Sequence, residues 1–110
     1  MSASIISLSV DQAAGTTASL IAAVTGKRVE VVGYCLSVFG GIGTVKSTLQ
    51  DITANTVRMT LVGSATVPTV YSYNGGRENP AFATDLSEGL ELVTGAAVTI
   101  TGHINYRFIY

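Results

Sequence analysis

The sequence predicts an all-β protein, a sandwich or barrel of about seven or eight antiparallel strands. Three observations carry this expectation. The final segment alternates strictly, with Val98, Ile100, Gly102, Ile104, Tyr106 and Phe108 on one face. Thr99, Thr101, His103, Asn105 and Arg107 fall on the other, the pattern of a long half-buried antiparallel strand. Apolar runs recur at roughly 8–12-residue spacing with turn-forming residues between them. No stretch shows the 3.6-residue period of an amphipathic helix.

The elements follow in order. Ile5 to Val10 alternates from Ile6 onward and reads as a short strand; residues 12–17, with Gly15, read as a loop. Ala18 to Val24 fits a strand or a short helical turn, because alanine favours neither. Arg28 to Phe39 is a strong strand with a change of phase. Val29 and Val31 share one face, whereas the later apolar set is Val32, Tyr34, Leu36 and Val38. Gly33 sits at the change, which points to a β-bulge, or else to a strand covered on both faces. Gly43 to Leu49 and Val57 to Leu61 are further strands, separated by turn chemistry at Asp51 to Asn55. Val67 to Tyr73 is a strand whose start Pro68 pushes to an edge. Asn74 to Pro80 is an exposed loop, Leu90 to Leu92 a short strand, and Gly95 a turn into the last strand.

Composition narrows the function classes. The 110 residues suit one domain, with enough chain to bury about two-thirds of its unfolded surface. Charged residues make up only 12%, against about 25% in ordinary domains. The net charge is −1 and the six basic residues are scattered, so the footprint of a nucleic-acid binder is missing. Cys35 is the sole cysteine, which rules out an intrachain disulfide and suits a reducing compartment or indifference to redox state. The N-terminus lacks the charged and apolar regions of a secretory signal. No run approaches the ~18 apolar residues of a membrane helix, so neither nucleic acid nor membrane is expected as a partner.

Few motifs suggest chemistry. Phe39 to Thr48 reads FGGIGTVKST, superficially a phosphate loop, but Val45 precedes Lys46 where a P-loop needs glycine. The segment that follows is strand-like, so no helix N-terminus would hold a phosphate, and the glycines are expected to shape a hairpin turn. Cys35 and His103 would make a nucleophile and base only within hydrogen-bond reach and with an orienting third group. The plainer reading is a small core or interface cysteine and a polar-face histidine. Asp85, Glu88 and Glu91 lie close in sequence, as glycosidase carboxylates or calcium ligands might be sought. The calcium-loop pattern is absent, and solvated loop charges account for them more simply. No catalytic, metal-binding or cofactor-binding residue is assigned. Tyr71 and Tyr73 precede the NGGRENP loop and are as plausible in a contact surface as in the core.

Gly26 to Val38, GKRVEVVGYCLSV, resembles a strand of small capsid decoration, or cement, proteins of tailed bacteriophages. The strand GTVKST, the step Ser87 to Leu92 and the closing pattern Val98 to Tyr106 extend the resemblance to the C-terminus. Residues 1–25 match loosely and read as an N-terminal arm with the first strand or strands, while residues 26–110 form the sandwich body. NGGRENPAF stands where a more aromatic loop is expected. The resemblance implies a jelly-roll type of sandwich and a non-enzymatic protein of the virion exterior, made in the host cytoplasm. It implies binding to the major capsid protein lattice as a homo-oligomer, a trimer rather than a dimer. Contacts would come from Ile5, Ile6, Leu8, Tyr71, Tyr73, Asn74, Arg77 and Phe82, with the arm adding a strand to a neighbouring sheet. The alternative is a tail-fibre or host-surface carbohydrate-binding module using Tyr71, Tyr73, Asn74 and Arg77.

Overall fold

The computed structural model describes residues 4–41, 46–76 and 78–110. Among the described residues nine strands run in the order β1 (Ile6–Gln12), β2 (Thr17–Ile21), β3 (Arg28–Gly40), β4 (Lys46–Asp51), β5 (Val57–Val62), β6 (Thr69–Asn74), β7 (Phe82–Ala83), β8 (Leu90–Val93) and β9 (Val98–Ile109). They form two antiparallel sheets packed as a β-sandwich. The first sheet has the order β1-β9-β3-β6, with β7 also on β3, and the second has β2-β8-β4-β5. All eight expected segments contain a strand. The ninth is the two-residue β7, too short to carry a periodic signal. The ambiguous Ala18 segment is a strand, and the expected start of β4 at Gly43 lies outside the described residues.

The pairing has a nested logic. β4 pairs with β5, β3 with β6, β2 with β8 and β1 with β9. Each pair encloses the one before it, as in one long hairpin. Two further pairings, β3 with β9 and β4 with β8, roll that hairpin into two layers. Residues 4–25 are therefore woven into both sheets through β1 and β2.

The core is aliphatic. Val10, Leu36, Val38, Ile100 and Ile104 from the first sheet meet Ile21, Leu49, Leu61, Leu90 and Leu92 from the second. Each such fully buried side chain stabilises the fold by about 1.5–3 kcal/mol. Alternation in β9 places Val98, Ile100 and Ile104 in this core and leaves His103 and Thr101 outside, as the sequence pattern requires.

The change of phase in β3 is a bulge. Its register against β9 passes from Val31 opposite Tyr106 to Gly33 opposite Asn105, leaving Val32 without an opposite number. Val29 and Val31 on one side of the bulge, and Leu36 and Val38 on the other, thus all reach the core. On the far side of β3, the chain between β6 and β7 leaves the edge and returns. There the Gly76 N–H donates to the Val32 carbonyl at 3.1 Å and the Ala81 N–H to the Val31 carbonyl at 2.8 Å.

Gly40 and Gly41 have φ of 101° and 79°, as the glycine-rich turn was expected to need. The turn is not a hairpin, however: β3 and β4 lie in different sheets, so this connection crosses between layers. Gly102 is a second special position. With φ at 141°, any Cβ there would run into the carbonyl oxygen of Cys35 on the neighbouring strand.

Polar side chains clasp both open sides of the sandwich. On one side, the Tyr71 hydroxyl of β6 donates to the Val62 carbonyl and accepts from the Val62 N–H, both at 3.0 Å. On the other, buried Gln12 donates to the carbonyls of Leu92 at 2.9 Å and Thr16 at 3.2 Å. Each clasp joins an edge strand of one sheet to the opposite sheet.

Candidate functional site

The register assembles a broad outer face on the first sheet. Ser9, His103, Cys35 and Ser72 lie side by side in one row across four strands. Asp11, Thr101, Ser37 and Val70 make the next row, and Ser7, Asn105, Gly33 and Asn74 the one beyond. These rows contain one carboxylate, Asp11, and no lysine or arginine. Side chains are short throughout except at His103, Asp11 and the two asparagines, so the face is shallow and nearly uncharged. Val70 projects from it with 61% of its surface exposed. Further along the same two strands, Arg107 donates from Nε to Glu30 at 2.7 Å, which neutralises that pair of charges.

Cys35 and His103 prove to be direct cross-strand partners, a neighbour relation the sequence alone left open. Among the described residues no hydrogen bond joins them. Their row supplies only serine hydroxyls beside them, and among the described residues no hydrogen bond holds the imidazole. The arrangement lacks the parts of an activated nucleophile.

The acidic residues work inside the chain. Glu88 accepts from the N–H groups of Thr53 and Ala54 at 2.9 and 2.7 Å, and Glu91 accepts from Gln50 at 2.8 Å. Asp85 pairs with Arg58 at 3.0 Å. Arg58 in turn grips Asp51 with two parallel bonds, Nε to Oδ1 at 2.9 Å and a terminal nitrogen to Oδ2 at 2.8 Å. Asp51 is fully buried and also accepts the Asp85 N–H at 3.0 Å. Burial alone would raise its pKa. The bonds from Arg58 and from the Asp85 N–H, with the Arg58 charge, outweigh that and hold the carboxyl below its ordinary value. The bond to Asp51 raises Arg58 above its own ordinary value. Among the described residues no cluster of three His, Cys, Asp or Glu side chains is placed to hold a metal ion.

The expected contact residues are spread over three places. Ile5 and Ile6 are each 41% exposed beside and within the β1 edge, and Leu8 is half-buried against the core. Tyr71 spends its hydroxyl on Val62, and Tyr73 donates to the Asn79 carbonyl at 2.6 Å. The Tyr73 ring stacks on Tyr34 with centroids 6.0 Å apart. Burial first, and Tyr73 second, push the Tyr34 hydroxyl pKa upward. Both hydroxyls thus serve the chain itself. Phe82 packs against the core, and Asn74 is exposed at the end of β6. Arg77 lies outside the described residues. The structure does not gather these residues into one surface.

Two features escaped the sequence reading. One is the Asp51–Arg58–Asp85 network, whose members span 34 positions and carry no motif. The other is the continuous outer face, whose only sequence signal is the repeated Ser, Thr and Cys at alternate positions of β1, β3 and β9. Comparison with protein-family models, curated proteins and solved structures finds no match for this chain.

Proposed function

We propose that this chain is a structural protein of the virion, a decoration or cement protein that binds the outside of a tailed-phage head and steadies contacts between major capsid proteins. The observation that carries the reading is the strand order. With the two-residue β7 set aside, the nested pairs β1/β9, β2/β8, β3/β6 and β4/β5, rolled into two four-stranded layers, favour a jelly-roll type of sandwich. That architecture recurs in viral capsid and lectin domains, so the fold alone does not choose between them.

The surface chemistry favours the lattice partner. Binding to a lattice needs complementary area and backbone pairing, and it involves no reacting group. A shallow face with one carboxylate in three rows loses little hydration when covered. The lectin alternative asks for aromatic rings and polar groups converging on a sugar, whereas the Tyr71 and Tyr73 hydroxyls are engaged with Val62 and Asn79.

The test is co-sedimentation of the purified protein with assembled heads of the phage that carries the gene, beside the free capsid subunit. Binding to heads but not to the free subunit is expected. Failure to bind heads would overturn the reading, as would a Tyr73→Ala-sensitive signal on a glycan array.

A further inference from the structure

We infer that the outer edge of β1 is a self-pairing edge, at which two copies of this chain join antiparallel about a twofold axis centred near Ser9. The two first sheets would then run on as one, in the order β6-β3-β9-β1 followed by the same strands of the second copy reversed. This goes beyond the capsid reading, because it concerns the chain in the absence of any head.

Among the described residues the two sheets end at four edges: β1, β6 with β7 beyond it on the same side of β3, β2 and β5. An exposed edge is a template for further strand pairing, and proteins blunt it with bulges, prolines, charges or shortness. Three edges carry such devices. β2 has five residues and a register shift between Ser19 and Ile21. β5 has a shift at Arg58, an arginine held in the Asp51–Asp85 network. β6 is entered through Pro68, and the excursion between Asn74 and Phe82 interrupts it. β1 has no bulge, proline or lysine, and its single charge, Asp11, lies next to its end. Its seven residues pair with β9 in unbroken register from Ile6 to Gln12, and ISLSVDQ contains no proline, glycine or lysine.

The residues of β1 also suit a second copy. Its inward set is Ile6, Leu8, Val10 and Gln12, with Ile6 and Leu8 incompletely covered. A twofold at Ser9 sets Leu8 opposite Val10, so the half-covered Leu8 gains an apolar neighbour across the join, and sets Ile6 against the aliphatic stem of Gln12. On the outer side it sets Ser9 opposite Ser9 and Ser7 opposite Asp11. The one carboxylate therefore never meets its own copy. Pairing two different edges, as a cyclic trimer requires, would force β1 against one of the guarded edges. The join is accordingly a dimer, or an even-numbered assembly of dimers, where the family resemblance implies a trimer.

The test uses the whole chain with Cys35→Ser, so that an introduced thiol is unique. Ser9→Cys places two thiols directly opposite across the twofold, within disulfide reach. Ser7→Cys places its two copies about 14 Å apart along the strands, beyond reach. With diamide as oxidant, Ser9→Cys should give a covalent dimer rapidly and Ser7→Cys should not. Sedimentation velocity of the unmodified chain should show a monomer–dimer equilibrium. Ser9→Lys, at an exposed position, should weaken it several-fold by setting like charges opposite, while melting at concentrations where the chain is monomeric stays unchanged. A monomer at all concentrations, a trimer, or equal trapping of the two cysteine variants would each overturn the inference. Head binding is read separately, so its failure leaves this result standing.

Discussion

Replacing Asp51 by asparagine should be among the most damaging conservative changes in this protein. Asp51 is fully buried, takes two parallel bonds from Arg58 at 2.9 and 2.8 Å, and accepts the Asp85 N–H at 3.0 Å. Asn keeps the shape but presents an NH₂ group to donors on every side, so at least one contact becomes donor against donor. Removing one partner of a buried ion pair costs about 3–5 kcal/mol. Here Arg58 retains Asp85, which is 60% exposed, so the lower end, about 3 kcal/mol, is expected. For a domain of this size that lowers Tm by roughly 12 °C or more. The Asp51 pKa is depressed in the folded state. Its stabilising contribution is therefore complete above the unfolded value of 3.8 and fades as pH falls through the lower folded value. The assay is thermal unfolding at pH 7 and at steps below pH 4. The variant should melt early at neutral pH, and the gap from the unmodified protein should narrow in acid. Asp85→Asn, by contrast, should cost less than about 1 kcal/mol. A Tm change under 2 °C for Asp51→Asn at pH 7 would refute the claim that this network anchors the β4–β5 end of the sandwich.

Three other outcomes are expected. Tyr71→Phe removes both bonds to Val62 and should lower stability by about 1–2 kcal/mol in urea denaturation, with amide exchange at Val62 accelerating most. Gly102→Ala should cost at least about 2 kcal/mol, because the positive φ and the Cys35 carbonyl leave a Cβ no room; a variant with unchanged Tm would show that β9 relaxes there freely. In ultraviolet titration Tyr34 should ionise later than free tyrosine, and Tyr34→Phe should remove that contribution from the late part of the curve, since burial and Tyr73 hold its hydroxyl protonated.

Deleting residues 1–12 is a poor way to ask whether the first strand contacts a partner. With β1 paired to β9 over seven residues, and Gln12 bonded into the opposite sheet, that deletion strips an edge strand that supplies Val10 to the core. Point changes on the exposed side of β1 are the informative alternative.

Much of the fold was legible because strand alternation is a local property. A side chain two residues away shares its neighbour's face whatever the rest of the chain does. The long last strand and the change of phase near Gly33 follow from spacing of this kind, although spacing left a bulge and a strand covered on both faces equally open until the register decided it. The positive φ at Gly40 and Gly41 follows instead from the missing Cβ of glycine. Pairing between distant strands is not local. Nothing in the chain near Asp51 announces Arg58 and Asp85 as its partners, nor near Cys35 that His103 stands beside it. Tyr71 shows the same limit: its alternation set a face, but only the second sheet supplied Val62 and turned its hydroxyl inward. The sequence by itself determined the strands, their apolar faces and the scarcity of charge. The tertiary structure decided which strands became neighbours, and so which edge was left unguarded, because edges exist only once a sheet has an order.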